Sequence, residues 1–126
     1  MTSAPISPSQ FHVACIDDDA LEHDLLARLV RRETHIALRP YFDVAEAAQA
    51  LARSPVDLIL LDARIPPDND PVASVALLRS HGILTRIIVM SSVLDPARAG
   101  DEADVVYMEK DQITRAFLVE SLSGAS

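Results

Sequence analysis

The stretch VDLILLD at residues 56–62 decides the fold of this 126-residue chain. Leu58, Ile59, Leu60 and Leu61 are apolar without alternation. A strand with one face in water would alternate apolar and polar residues, so this one is expected to be covered on both faces, as in a parallel sheet. Working outward, residues 11–16, 36–42, 86–90 and 103–108 are further short apolar runs. Arg39 and Pro40 suit an edge position for the run at 36–42, because proline cannot donate to a ladder.

Helical patterns separate these strands. Residues 20–32 place Leu21, Leu25, Leu29, Leu26 and Val30 on one stripe, opposite Glu22, Asp24, Arg28 and Arg31, with Asp19 as cap. Asp43 and Glu46 form a capping box ahead of a helix that ends at Ser54-Pro55. Pro71 opens a third helix, and Gly82 ends it in the left-handed conformation. Pro96 and Gly100 leave room for only a short fourth helix before the last strand. Asp111 is expected to cap a final helix that turns Ile113, Ala116, Phe117 and Leu122 inward.

Strand and helix alternate five times. The expected fold is α/β, a five-stranded parallel sheet of order 2-1-3-4-5 with helices on both faces and a stunted fourth helix. The length suits one domain at residues 11–122, with an N-terminal arm at 1–10 and a tail at 123–126.

Composition narrows the function. The chain is 49% hydrophobic but only 4% aromatic, so Val, Ile, Leu and Ala must fill the core. A formal charge of -8 argues against nucleic acid as a direct partner and is equally suited to a solvated surface. Cys15 is the only cysteine, which rules out an internal disulfide. It lies within an apolar strand and reads as a buried hydrophobe. No signal peptide or membrane-length apolar run is present, so a cytoplasmic location away from membranes is expected. His12, His23, His35 and His81 are scattered, and surface or capping roles are expected for them.

Asp17 and Asp18 follow the first strand, Asp62 ends the third, Ser91 the fourth and Lys110 the fifth. A parallel sheet gathers these ends on one edge. Three carboxylates crowded there repel one another and attract a hard cation, magnesium before calcium, since no His or Cys cluster invites zinc. Asp62 is the candidate nucleophile towards phosphorus, with Ser91 and Lys110 able to contact phosphoryl oxygens. Each residue alone has an ordinary reading: a capping loop for the acidic triplet, turn residues for Asp62, Ser91 and Ser92, a surface lysine for Lys110. Their joint placement on four strand ends favours the site.

At these residues the chain resembles the receiver domain of bacterial response regulators, a flavodoxin-like (CheY-like) family. The resemblance rests on Ile16-Asp17-Asp18-Asp19, on residues 58–62 followed by Pro66, on Ile87-Ile-Val-Met-Ser91-Ser92 and on Tyr107-Met-Glu-Lys110. It implies that Asp62 is the phosphoacceptor. It also implies that Asp18 and Asp62 bind Mg2+ directly, Asp17 through water, and Arg64 by its backbone carbonyl. By the same resemblance Ser91 and Lys110 contact the phosphoryl group, Ser92 leaves a path for the donor, and Tyr107 is the aromatic that switches rotamer, unless it is a plain edge-strand aromatic. The implied donor is a histidine kinase or histidine phosphotransfer protein, the downstream partner is an unspecified protein, and the state is a monomer or weak dimer. The domain would not be an enzyme beyond its own phosphorylation and dephosphorylation.

Several positions depart from the family pattern. Asp111 replaces the usual proline after Lys110, Asn69-Asp70-Pro71 replaces an Asp-Gly pair, and the stretch from Ser91 to Lys110 is about one helical turn short. These departures support an alternative, a degenerate receiver that binds a partner without phosphorylation. A phosphatase with an aspartate nucleophile is a third reading, weakened by Arg64 where a second aspartate would stand.

Overall fold

The computed structural model describes residues 10–66, 70–91 and 104–123. Five strands form one sheet in the order β2-β1-β3-β4-β5, with every pairing parallel. They are β1 (Phe11–Ile16), β2 (Ile36–Tyr41), β3 (Leu58–Asp62), β4 (Ile87–Ser91) and β5 (Val105–Glu109). The helices are α1 (Ala20–Leu29), α2 (Val44–Arg53), α3 (Pro71–Ser80) and α4 (Arg115–Ser123). The expected short helix between Ser91 and Lys110, the arm at 1–9, Ser92 and the tail at 124–126 lie outside the described residues.

β3 sits at the centre, and all five of its residues are buried. The unbroken apolar run is explained by two separate cores. On one face Ile59 and Leu61 join Ala47, Leu51, Val75 and Leu78 of α2 and α3. On the other, Leu58 and Leu60 join Leu26 of α1 and Leu118 and Leu122 of α4. Each side chain of β3 therefore leaves water, at roughly 25 cal/mol per Å2 of apolar surface removed. β2 lies at the edge, and Pro40 is exposed there, as its missing N–H requires.

The caps at Asp19 and Asp43 and the Pro71 start of α3 match the sequence, and Asp70 adds a third cap. Asp19 accepts from the Leu21 amide, Asp43 from the Glu46 amide and Asp70 from the Val72 amide. Gly82 has φ +80 just beyond α3, and a Cβ there meets nothing within 4 Å. Gly82→Ala is therefore expected to cost about 1 kcal/mol through backbone strain alone. Urea unfolding measures it; a cost near zero would show that the turn relaxes.

Three expectations need correction. α1 ends at Leu29 rather than residue 32, because Val30 is buried and turns at Glu33 and Ile36 redirect the chain into β2. The apolar stripe of α1 is not all internal: Leu26 and Val30 are buried, but Leu21 and Leu25 are 61% and 49% exposed. In the last segment Asp111 caps no helix among the described residues. It lies in a 3-10 turn (Lys110–Gln112), and the Thr114 hydroxyl accepts from the Phe117 amide to start α4. That shift rotates Ala116 into solvent and buries Leu118 completely.

Candidate functional site

Strand register builds the site. Ile16 pairs with Leu61, so Asp17 leaves β1 beside Asp62 at the end of β3. Asp62 pairs with Met90, and Ser91 with Glu109, so Ser91 and Lys110 close the same edge from β4 and β5. Carboxylate oxygens of Asp17, Asp18 and Asp62 lie within 4.8 Å of one another. Asp17 and Asp62 are buried, whereas Asp18 is exposed.

Lys110 binds this cluster together. Its Nζ lies 3.3 Å from Asp62 Oδ1 and 3.7 Å from Asp17 Oδ2. It also donates to Glu22 Oε1 at 3.3 Å. Burial disfavours the ammonium, but Asp62, Asp17 and Glu22 outweigh that cost and hold Lys110 above the usual lysine range. Asp17 moves the other way. Burial raises its carboxyl above the ordinary range, Asp62 adds to the rise, and the Asp19 amide and Lys110 oppose it.

Asp17 Oδ1 accepts from the Asp19 amide at 3.0 Å. Asp17 Oδ2 is buried without a hydrogen-bond partner. A buried anionic oxygen without a donor is costly. That oxygen, in a set of hard carboxylate donors, fits Mg2+ or Ca2+ and no softer ion.

Asp17→Asn is accordingly expected to stabilise the metal-free protein by about 1 kcal/mol and to weaken its stabilisation by Mg2+. Thermal unfolding with and without Mg2+ reads both effects. A variant less stable than wild type without metal would contradict the repulsion.

The other sequence candidates fall as follows. Ser91 is half-buried at the end of β4, and Arg64 is exposed in the turn that leaves β3. Tyr107 is half-buried and packs on the core shared with α2 and α3. Cys15 is buried beneath the site, and burial, with Asp17 and Glu22, pushes its thiol up to about 12, so it is an unreactive hydrophobe.

Two residues were missed. Glu22 had been placed on the polar side of α1, yet it reaches Lys110. Its position in the first turn after Asp17-Asp18-Asp19 was the available signal. His23 is half-buried, with Nε2 2.8 Å from the Asp17 carbonyl oxygen and its ring 4.6 Å from that of Phe42. It steadies the backbone that presents Asp17, which is more than a surface or capping role. Nothing in the sequence marks it, since the contact depends on how α1 folds back over β1.

The fold, five parallel strands between helices on both faces, is matched by solved structures. The signal receiver domain of NarL from Mycobacterium tuberculosis has a TM-score of 0.75 at 24% identity, covering 93% of this chain and 96% of that one.

This chain has the receiver-domain fold.

A two-component response regulator from Cytophaga hutchinsonii superposes on this receiver fold with a TM-score of 0.77 at 19% identity, over 92% and 96% of the two chains. A response regulator from Burkholderia pseudomallei, solved with a phosphorylated aspartic acid, calcium ion and citrate, gives 0.71 at 22%, over 90% and 66%. No protein-family model and no curated protein matches the chain. Among the described residues, no helix of this receiver fold is long and apolar enough to cross a membrane.

Proposed function

We propose that this chain is a phosphorylatable receiver of a two-component or phosphorelay system, with Asp62 as phosphoacceptor. One observation carries the reading: Lys110 meets Asp62 inside a carboxylate trio whose buried Asp17 Oδ2 has no donor. Such an arrangement is strained when empty and relieved by a cation and an anionic ligand together.

Asp17, Asp18 and Asp62, with the Arg64 carbonyl, would hold Mg2+. Bound there, the ion screens the carboxylates and neutralises charge that develops on the phosphoryl group. An Asp62 oxygen attacks phosphorus and forms the O–P bond of an acyl phosphate. The N–P bond of a donor phosphohistidine breaks, and the imidazole keeps the electron pair. Lys110 and Ser91 contact the transferred oxygens. In deactivation a water oxygen attacks phosphorus and forms a new P–O bond. The acyl O–P bond breaks with its electron pair left on the restored Asp62 carboxylate, and inorganic phosphate departs with the water's protons.

Phosphorylation brings the modified side chain to close to two negative charges. Ser91 and Tyr107 would pass that change to the surface. The donor is a histidine kinase or phosphotransfer protein. Exposed Leu25 borders a groove of about 320 Å3 beside Lys110, which supports a protein rather than a small molecule as donor. The receiver then acts on a downstream protein, in the cytoplasm, as a monomer or weak dimer. Its only catalysis is its own phosphorylation and dephosphorylation.

Incubation with acetyl phosphate and Mg2+, followed by a phosphate-affinity gel, tests the reading. A shift requiring both reagents is expected. No shift, with amide resonances indifferent to Mg2+ and beryllofluoride, would instead establish a receiver that binds partners without phosphorylation.

A further inference from the structure

We propose that Glu22 is a built-in competitor for the Lys110 ammonium, sharing it with Asp62 at equal distance until the added charge on Asp62 draws it over. The inference rests on the receiver reading above and assigns a regulatory role to a residue outside the metal set.

Lys110 donates its hydrogen bond to Glu22 Oε1 at 3.3 Å, while it meets Asp62 and Asp17 as ion pairs at 3.3 and 3.7 Å. This choice of partner is informative. Asp17 Oδ2 is buried without a donor and would gain more from the ammonium than Glu22, whose side chain is 35% exposed. The lysine nevertheless stops 3.7 Å short of it, beyond hydrogen-bond reach.

Glu22 is held in place by its own element. Its amide donates to the Asp19 carbonyl at 3.1 Å in the first turn of α1, and the Asp19 side chain caps that turn. The glutamate therefore stands over the site from a rigid base. The resting lysine is divided among three carboxylates, and a phosphoryl group on Asp62 must compete with Glu22 for it.

Glu22→Gln keeps the shape and removes the charge. Calorimetric titration is expected to show beryllofluoride at saturating Mg2+ bound about two- to fivefold more tightly by the variant, the size of one part-exposed charged contact. Mg2+ alone is expected to bind about two- to fivefold more weakly, because the site loses a nearby negative charge. The opposite signs separate competition from damage, since a folding defect weakens both. Wild-type protein that binds beryllofluoride, with Glu22→Gln binding it equally or less well, overturns the role of Glu22 and leaves the receiver reading intact. Failure of both proteins to bind beryllofluoride removes the receiver reading, and this inference with it.

Discussion

Asp62→Asn is expected to abolish covalent phosphorylation. The amide keeps the size of the side chain but has no nucleophilic oxygen of comparable basicity. Asp18 is exposed, and Asp17 lies deeper, with Oδ1 already engaged by the Asp19 amide. Neither is placed to take over at the centre of the sheet. The variant should still fold, because its backbone keeps the β3 pairing with β1 and β4 and one of two repelling buried carboxylates is gone. The measurement is a phosphate-affinity gel after acetyl phosphate and Mg2+, beside an unfolding curve. A wild-type-sized gel shift in the variant would place the acceptor elsewhere.

Lys110→Met is expected to give the largest stability loss at the site. Methionine preserves much of the lysine stem and its packing, so the change isolates the charge. Its removal leaves Asp17 and Asp62 buried and facing one another with no cation. Breaking a fully buried pair costs about 3–5 kcal/mol. Lys110 is 30% exposed, and solvent screening reduces the expected loss to about 2 kcal/mol.

Mg2+ should restore part of that loss by supplying the missing positive charge, about 1.4 kcal/mol at ten times its dissociation constant. The pH dependence follows from the directions of the two shifts. Lys110 is raised, so its contribution in wild type is fully present below its ordinary value of 10.5 and is lost as pH climbs through the raised one. Asp17 is also raised, so its favourable term is complete below 3.8 and disappears as pH rises through the folded value. Acidification from neutral pH should therefore narrow the gap between Lys110→Met and wild type. A variant as stable as wild type and unmoved by Mg2+ would mean that the lysine does not neutralise the cluster.

The fold was legible where local chemistry and burial agree. The apolar run before Asp62 demanded cover on both faces, and two cores supply it. Asp19, Asp43, Pro71 and Gly82 marked helix ends because capping and φ preferences act within a few residues. Reading failed where two local signals compete. Asp111 and Thr114 are both good caps, and the 3-10 turn at Lys110 decided for Thr114, carrying Leu118 inward in place of Ala116. The stripe of α1 was misread because periodicity shows which residues share a face, but not how much of that face a sheet covers. Leu21 and Leu25 lie beyond the covered part.

The site divides in the same way. Asp17, Asp18, Asp62, Ser91 and Lys110 were candidates from their positions at strand ends, because a parallel sheet must bring those ends to one edge. Sequence by itself determined the alternation of strands and helices, the hydrophobic interior and the acidic character of that edge, since all three follow from residue type and spacing. Tertiary structure alone decided which carboxylates are buried, which oxygen of Asp17 is left without a donor, and that Lys110 divides itself among Asp62, Asp17 and Glu22. Those facts depend on side-chain direction and water exclusion between segments some ninety residues apart. No local preference along the chain encodes them.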